Sequence, residues 1–289
     1  MRSVKNTFWL LFILPLLIAC RDSSGPNAPA VVQSVPPQHI FDSLFSALRY
    51  DTVLLLAPAL EVHFADQKDW PNYYAVCNKT TVSLWRVHRS DSAVALIQRL
   101  LPEASRCLGA EHALIAEFHT TLGNIHADRR TERDFRIACE HFQAALDINR
   151  KLFGEPSPEV AACYERFGIA HWLVDDYPEA LKQYDRALGG MGRITPQNGL
   201  LVAKIYLNTG LLFFDMGQYR LALQRFTDAH HILSDTLHRR DSKVAKCLNN
   251  MAECQLQLGE TDQALVLARE ALLLEGRVGS PVSKLHCYI

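Results

Sequence analysis

The stretch GIAHWLVDDYPEALKQYDRA at residues 168–187 is followed by GLLFFDMGQYRLALQRFTDA at residues 210–229 and by AECQLQLGETDQALVLAREA at residues 252–271. The three stretches stand 42 residues apart. Each begins with a small residue, and each has an alanine at its thirteenth position and at its end. Self-similarity at a fixed period predicts a repeat array rather than a single compact core, and such arrays usually present a surface to partners.

The spacing within each stretch predicts a pair of antiparallel helices. Small residues at Gly168 and Gly210 allow two helices to approach closely, while the aromatic side chains of Tyr184 and Phe226 fill the space above them. Glycine at positions 217 and 259 suits the turn between the helices. We therefore expect an all-α chain.

From about residue 118 onward these positions resemble tetratricopeptide repeats. The 42-residue spacing is longer than the usual period of about 34 residues. Together with the joint at 153–161 and the stretch at 248–252, it is similar to the kinesin light chain type of repeat. The resemblance implies a right-handed α-solenoid of tetratricopeptide-type helix hairpins, whose first helices line a concave groove.

The chain divides into four predicted regions. We assign residues 1–19 to a signal peptide, 20–38 to a tether rich in proline and serine, 39–117 to divergent helical repeats and 118–289 to the clearer repeats. A step of 42 residues from Cys247 reaches Ile289, so a fifth unit stops within its first helix. Either the chain is truncated relative to a longer relative, or the terminal stub acts as a cap.

One spacing in the array departs from the period. Leu108-Gly109 lies 45 residues before Phe153-Gly154, which predicts three additional residues in that unit. We expect them in a loop, the polar turn at 126–133, where an insertion costs little.

The N-terminus carries an export signal. Arg2 and Lys5 precede an apolar stretch that is too short to span a bilayer, which needs about 20 residues. Residues 17–20, Leu-Ile-Ala-Cys, resemble a bacterial lipobox, which implies lipidation of Cys20 and a stable membrane anchor. Arg21 rather than aspartate after the cysteine favours the outer membrane in that family. An ordinary secretory signal that contains a cysteine is the alternative.

Composition and motifs argue against several classes of function. Thirty basic residues against 31 acidic ones, with no basic run on a predicted helix, do not indicate a nucleic-acid binder. We find no nucleophile elbow, phosphate loop or paired metal-ligand motif, so we expect no enzymatic activity, cofactor or metal. Of the eight cysteines, Cys247 and Cys254 share a predicted apolar face and should be buried packing residues. Among the twelve histidines, His119, His126 and the cluster His230, His231 and His238 should be solvated or capping side chains.

The resemblance also predicts a peptide-binding strip on the first helices. In the family, positions two and six of each unit face a bound peptide. These positions here are held by polar residues of three adjacent units, namely Arg166, Lys204, Asn208, Lys246 and Asn250. Amides pair with a peptide backbone, and cations hold a carboxylate. Glu165 and Ile169 replace the Lys and Asn of the known carboxylate clamp. Neighbouring apolar residues are either groove contacts or core: Trp172, Leu207, Leu211 and Phe214.

Two classes of function remain open from the sequence. The first is a lipid-anchored, non-enzymatic scaffold that binds a segment of another protein. The second is the recognition part of a caspase-like CHAT peptidase whose catalytic domain is absent from this chain, because similar arrays precede such domains. An envelope sensor arm of a signalling system would leave the same marks in the sequence.

Overall fold

The computed structural model describes residues 37–191, 195, 198–236 and 242–278, and every regular element within them is an α-helix. The signal segment, nearly all of the tether and residues 279–289 lie outside the described residues. No described helix is both long enough and apolar enough to cross a membrane. The helices are α1 Gln38–Ser46, α2 Tyr50–Asp66, α3 Trp70–Arg86, α4 Ser90–Leu108, α5 Ala113–Ala127, α6 Glu132–Phe153, α7 Pro158–Leu173, α8 Tyr177–Gly189, α9 Gly199–Asp215, α10 Tyr219–Thr236, α11 Ser242–Gln257 and α12 Thr261–Val278.

Consecutive helices pack in antiparallel pairs that stack on one another. The hairpins α5–α6, α7–α8, α9–α10 and α11–α12 each bury a shared apolar interface. The first helices also touch in sequence, α3 with α5, α5 with α7 and α7 with α9. The expected all-α solenoid of helix hairpins is confirmed.

Small residues and aromatic rings hold the two helices of a hairpin together. A Cβ atom added to Gly168 would come to 2.4 Å from the ring of Tyr184, which is far inside van der Waals contact. Only glycine therefore permits this approach. The same arrangement joins α5 to α6 through Gly123 and Phe142 and α9 to α10 through Gly210 and Phe226. The predicted role of these glycines and aromatic rings is confirmed.

The turn inside each hairpin requires a left-handed residue. Gly217 and Gly259 have φ angles of 71° and 83°, as expected for glycines that end a helix. The equivalent turns of the two preceding hairpins use Arg130 at φ 53° and Asp175 at φ 62°. A side chain in this region costs about 1–2 kcal/mol. The turn geometry is thus set by the stacking and is kept even where glycine is missing.

The three additional residues of the α5–α6 unit lie mainly in a helix, not in the loop that the sequence suggested. α6 begins six residues before its buried Ala138, whereas α8 begins three residues before Ala180. The turn at 128–131 is only one residue longer than the turn at 174–176. Thr131 explains the longer helix, because its hydroxyl accepts a hydrogen bond from the amide of Asp134 and caps the added turn.

The first turns of α3 and α4 are capped differently. Trp70 and Pro71 belong to the first turn of α3, which Asp69 caps by accepting a hydrogen bond from the amide of Asn72. Proline is compatible with a first helical turn, so α3 continues through Pro71 without a break. α4 begins at Ser90 after Arg89, which makes no side-chain capping bond. The start of α4 therefore has no side-chain cap.

Candidate ligand-binding groove

A fully buried carboxylate lies at the centre of the predicted strip. Glu165 of α7 has no exposed surface, and its two oxygens face α9. The Lys204 ammonium donates to Oε2 over 3.0 Å, and the Asn208 amide donates to Oε1 over 2.7 Å. The Arg166 guanidinium lies 3.5 Å from Oε2. Three of the five predicted strip residues therefore bind a side chain of the chain itself.

Basic groups from three helices share the space around Lys204. Burial is the main cause that lowers the pKa of the Lys204 ammonium. The positive charges of Arg166 on α7 and Arg86 on α3 lower it further, whereas Glu165 raises it. Three cationic side chains, on α3, α7 and α9, therefore lie close enough for their charges to interact.

A similar polar contact between two consecutive first helices occurs once earlier in the chain, with different charges. Asn78 of α3 lies 87 residues before Glu165. The amide of Asn78 donates to Glu117 of α5 over 2.9 Å, and its oxygen accepts from Thr121 over 3.1 Å. Glu117 and Thr121 lie 87 residues before Lys204 and Asn208. One polar residue therefore joins consecutive first helices at both places.

A tryptophan bond repeats with the same spacing. The Trp85 indole donates to Asp128 over 2.8 Å, and the Trp172 indole donates to Asp215 over 2.8 Å. Both members of the second pair stand 87 residues after those of the first. The polar contacts between units thus follow a period of two units, which is hidden beneath the 42-residue period of the sequence.

The next junction, between α9 and α11, lacks the polar residue. Leu207 occupies the position 42 residues after Glu165, and a leucine side chain accepts no hydrogen bond. Lys246 of α11 is exposed, and no described residue forms an ion pair with it. The Asn250 Nδ2 atom is buried and has no hydrogen-bond partner within the described part of the chain. These two residues stand where Lys204 and Asn208 stand one unit earlier.

The predicted apolar groove contacts pack against the cores of the array. Trp172 and Leu207 contact the apolar cluster of α7 to α11, and Leu207, Leu211 and Phe214 contact a second cluster around Phe226. Each keeps part of its surface exposed. Their first role is to hold consecutive units together.

The cysteines and histidines behave differently from one another. Cys247 and Cys254 are buried and free, as predicted for packing residues. The prediction for two histidines is wrong, because His126 is buried and His119 is half-buried against His141. The described ranges contain no group of three His, Cys, Asp or Glu side chains placed to hold a metal ion. Cys20 and His238 lie outside the described residues.

Comparison with curated proteins gives relatives that carry similar repeats. KINESIN LIGHT CHAIN-RELATED 3 of Arabidopsis thaliana is 24% identical over 193 residues, which is 66% of this chain and 29% of that protein. A clustered mitochondria protein homolog of Danio rerio is 23% identical over 136 residues, or 45% of this chain and 10% of that protein. This chain thus spans less than a third of the length of either relative.

Several solved structures share the fold. BtubC (BKLC) from P. vanneervenii superposes with a TM-score of 0.61 at 16% identity, over 83% of this chain and 92% of that chain. The apo form of the quorum sensor NprR from B. thuringiensis also gives a TM-score of 0.61, at 14% identity, over 86% of this chain and 68% of that chain. Identities this low establish similarity of fold alone.

A protein-family comparison agrees with the geometry of the hairpins. The Tetratricopeptide repeat family model matches residues 117–191 and 199–272, which together make up just over half of the chain. The matched ranges cover the hairpins α5–α6 through α11–α12, where the glycine and aromatic contacts occur. The chain belongs to the tetratricopeptide repeat family.

Proposed function

We propose that this chain is a non-enzymatic scaffold that binds an extended segment of another protein in its groove. The groove is the concave surface formed by the first helices α3, α5, α7, α9 and α11. Tetratricopeptide repeats generally bind protein or peptide partners. The scaffold would act by holding a partner and would perform no chemistry on it.

The observation that carries the proposal is the Asn250 amide, whose Nδ2 atom has no hydrogen-bond partner among the described residues. A buried N–H without an acceptor costs about 1–3 kcal/mol, so such groups are rare in folded proteins. The buried Nδ2 atom belongs to a residue that is only half-buried. Contact with a ligand requires the side-chain amide to turn Nδ2 towards the exposed part of this residue. A ligand that supplies an acceptor oxygen there would remove the cost.

The preceding junction indicates which ligand group fits. At α7–α9 the acceptor is the Glu165 carboxylate, which Lys204 and Asn208 hold together. Lys246 and Asn250 present the same donors one unit later, with Leu207 in place of the carboxylate. A peptide carbonyl or an acidic side chain fits this pair of donors. Glu165 already occupies the equivalent place at α7–α9, so the ligand contact belongs to α9–α11.

Selection and affinity measurements test this proposal. A displayed peptide library is selected on the full chain, and the affinities of selected peptides are measured by calorimetry. Lys246→Ala with Asn250→Ala should weaken binding at least about tenfold, which corresponds to about 1.4 kcal/mol. Arg269→Ala with Glu270→Ala is the matched control, because both residues are exposed on α12. Equal affinities for both double variants would refute the assigned groove.

A gain-of-acceptor variant sharpens the same test. Leu207→Glu places a carboxylate at the position that Glu165 holds one unit earlier. It should bind Lys246 and Asn250 internally and weaken the peptides as strongly as removal of those two residues. Peptides that bind this variant normally would place the ligand elsewhere in the groove.

We further propose that the scaffold is anchored to the bacterial outer membrane through lipid on Cys20. The support is the sequence Leu-Ile-Ala-Cys at 17–20, which follows an apolar stretch and precedes a segment rich in proline and serine. An anchor of this kind would leave the repeats free to meet their partner. Expression with an alkyne fatty acid in a Gram-negative host should label the protein, and Cys20→Ser should lose the label. A labelled Cys20→Ser variant would contradict the anchor.

A further inference from the structure

Three histidines and one aspartate form a cluster between α5 and α6. The Nδ1 atoms of His119 and His141 lie 3.0 Å apart, and the rings of His126 and His141 lie 6.2 Å apart between centroids. His126 Nδ1 lies 2.7 Å from a carboxylate oxygen of Asp134. Asp134 belongs to the added first turn of α6, so the longer helix supplies the carboxylate that His126 contacts.

The contact between His119 and His141 tolerates one added proton but not two. In the neutral pair one Nδ1 donates its hydrogen and the other accepts it. A first proton leaves this bond intact, since the charged ring donates to the neutral one. A second proton places two N–H groups and two positive charges against each other at 3.0 Å. The cluster holds only one carboxylate, which already faces His126.

The other groups near the cluster are bound elsewhere. Arg129 in the α5–α6 turn pairs with Asp134 and with Asp91 of α4. From α7, His171 packs against the Phe135 ring and pairs with Asp176. From α3, Asn78 binds Glu117 of α5. None of these contacts adds a free negative charge beside His119 or His141.

Electrostatics agree with this geometry. Burial lowers the pKa of His119. Burial and the neighbouring His119 and His126 lower the pKa of His141 from 6.5 to about 4. Hydrogen bonds from Thr131 and His126 lower the pKa of Asp134 from 3.8 to about 2. The folded protein therefore favours neutral His119 and His141 and an ionised Asp134.

We propose that the cluster of His119, His126 and His141 makes the packing of α5 against α6 sensitive to pH, so that mild acid loosens this hairpin. α5 also carries Glu117 and Thr121, which join it to α3. Loosening would thus reach the junction between α3 and α5, while α9 to α12 stay packed. The inference is independent of the proposed ligand.

The sign of the effect follows from proton linkage. The unfolded chain binds protons on His119 and His141 near pH 6.5, whereas the folded chain binds them only at lower pH. Their contribution to stability is complete above about pH 6.5 and is lost as the pH falls towards about 4. The contribution of Asp134 is lost only between its unfolded value of 3.8 and about 2. Measurements at pH 4.5 and above therefore exclude the contribution of Asp134.

Denaturation of the full chain at pH 7.5, 6.0, 5.0 and 4.5 tests the proposal. The urea midpoint should fall with pH in the wild type, and His119→Gln with His141→Gln should remove at least about half of that fall. His231→Gln is the matched control, because the His231 side chain is 79% exposed and pairs only locally with Asp235. It should keep the wild-type fall. If the urea midpoint of the His119→Gln, His141→Gln variant falls with pH as much as that of the wild type, the proposal is overturned.

Hydrogen exchange on the wild type needs no variant. Corrected for intrinsic rates, exchange at pH 5 should rise in α5 and α6 relative to pH 7.5 and stay nearly constant in α9 and α10. NMR of histidine-labelled full chain should also detect two rings that titrate well below pH 6.5. A uniform rise in exchange along the array, or no ring that titrates below pH 6, would overturn the proposal even if the variants fail to fold.

Discussion

The α7–α9 and α9–α11 junctions use similar donors in the same register but leave them in different states. At α7–α9, Lys204 and Asn208 are bound to the buried Glu165. At α9–α11, Lys246 and Asn250 hold the register of Lys204 and Asn208, Leu207 holds that of Glu165, and the Asn250 amide has no partner in the described residues. One side chain in the preceding unit thus decides whether a polar pair is part of the structure or available to a ligand. Residue type and position within a repeat are not sufficient to identify a binding residue.

The strongest test of this comparison is removal of each donor pair. Lys204→Ala with Asn208→Ala leaves the Glu165 carboxylate buried with only Arg166 nearby, at 3.5 Å. We expect a loss of about 3 kcal/mol in the free energy of unfolding, the low end for a broken buried ion pair, because Lys204 is partly exposed. Lys246→Ala with Asn250→Ala should cost less than about 0.5 kcal/mol. Urea denaturation followed by circular dichroism measures both; equal losses would contradict the comparison.

The close approach of α7 and α8 beside Glu165 gives the next largest expected effect. Gly168→Ala places a Cβ 2.4 Å from the Tyr184 ring and should cost about 2 kcal/mol. The last hairpin has Ala252 and Ala268 at the equivalent positions. The double variant Gly168→Ala with Tyr184→Ala has the same residues as that hairpin at these two positions. It should therefore relieve the clash, and the remaining loss of stability should be that of removing the aromatic ring. A double-mutant cycle by thermal denaturation measures the coupling. Additive losses would mean that ring and glycine do not compete for space.

The tryptophan bond between units should have a smaller effect. Asp215→Ala removes the acceptor of the exposed Trp172 indole and should cost about 0.5–1 kcal/mol. Asp128→Ala, at the equivalent contact with Trp85, should cost a similar amount if the two-unit period is structural. The indole N–H resonances of Trp172 and Trp85 report each loss separately. A large difference in stability loss between Asp215→Ala and Asp128→Ala would show that the two contacts are not equivalent.

The smallest expected effect concerns the turns. Asp175 adopts a φ of 62°, where Gly217 occurs in the next hairpin. Asp175→Gly should raise the free energy of unfolding by about 0.5 kcal/mol, since relief of strain exceeds the added entropy of the unfolded chain. Gly217→Ala should lower it by about 1 kcal/mol. Chemical denaturation measures both changes in the free energy of unfolding. Opposite signs would support a turn geometry that helix stacking imposes, whereas a destabilised Asp175→Gly variant would contradict it.

Local pattern was sufficient to predict the hairpins. The spacing of Gly168, Ala180, Tyr184 and Ala187 records a contact that each unit makes within itself, and such contacts leave a fixed period in the sequence. The added residues of the α5–α6 unit were assigned to a loop because a polar stretch favours a turn. Thr131 and Asp134 instead cap an additional helical turn, which is a choice between two local structures of similar cost.

The candidate site was predicted only in part. The sequence identified the polar positions of the first helices, among them Lys204, Asn208, Lys246 and Asn250. It did not indicate that Glu165 would bind the first two, because the three residues belong to different units. The one available signal was a spacing that occurs twice. Asn78 and Glu165 stand 87 residues apart, and each has its two polar partners 39 and 43 positions later. The histidine cluster left no such signal.

The sequence by itself determined the all-α class, the length of the unit and the surfaces that each hairpin must bury, because these follow from apolar periodicity and small residues within one unit. Only the tertiary structure decided which polar groups have partners. Glu165 binds the donors of α9, the Asn250 amide of α11 has no partner within the described ranges, and His119 contacts His141 between two helices. Hydrogen bonds and charges depend on distances of a few ångströms between units, and those distances are set by stacking rather than by local sequence.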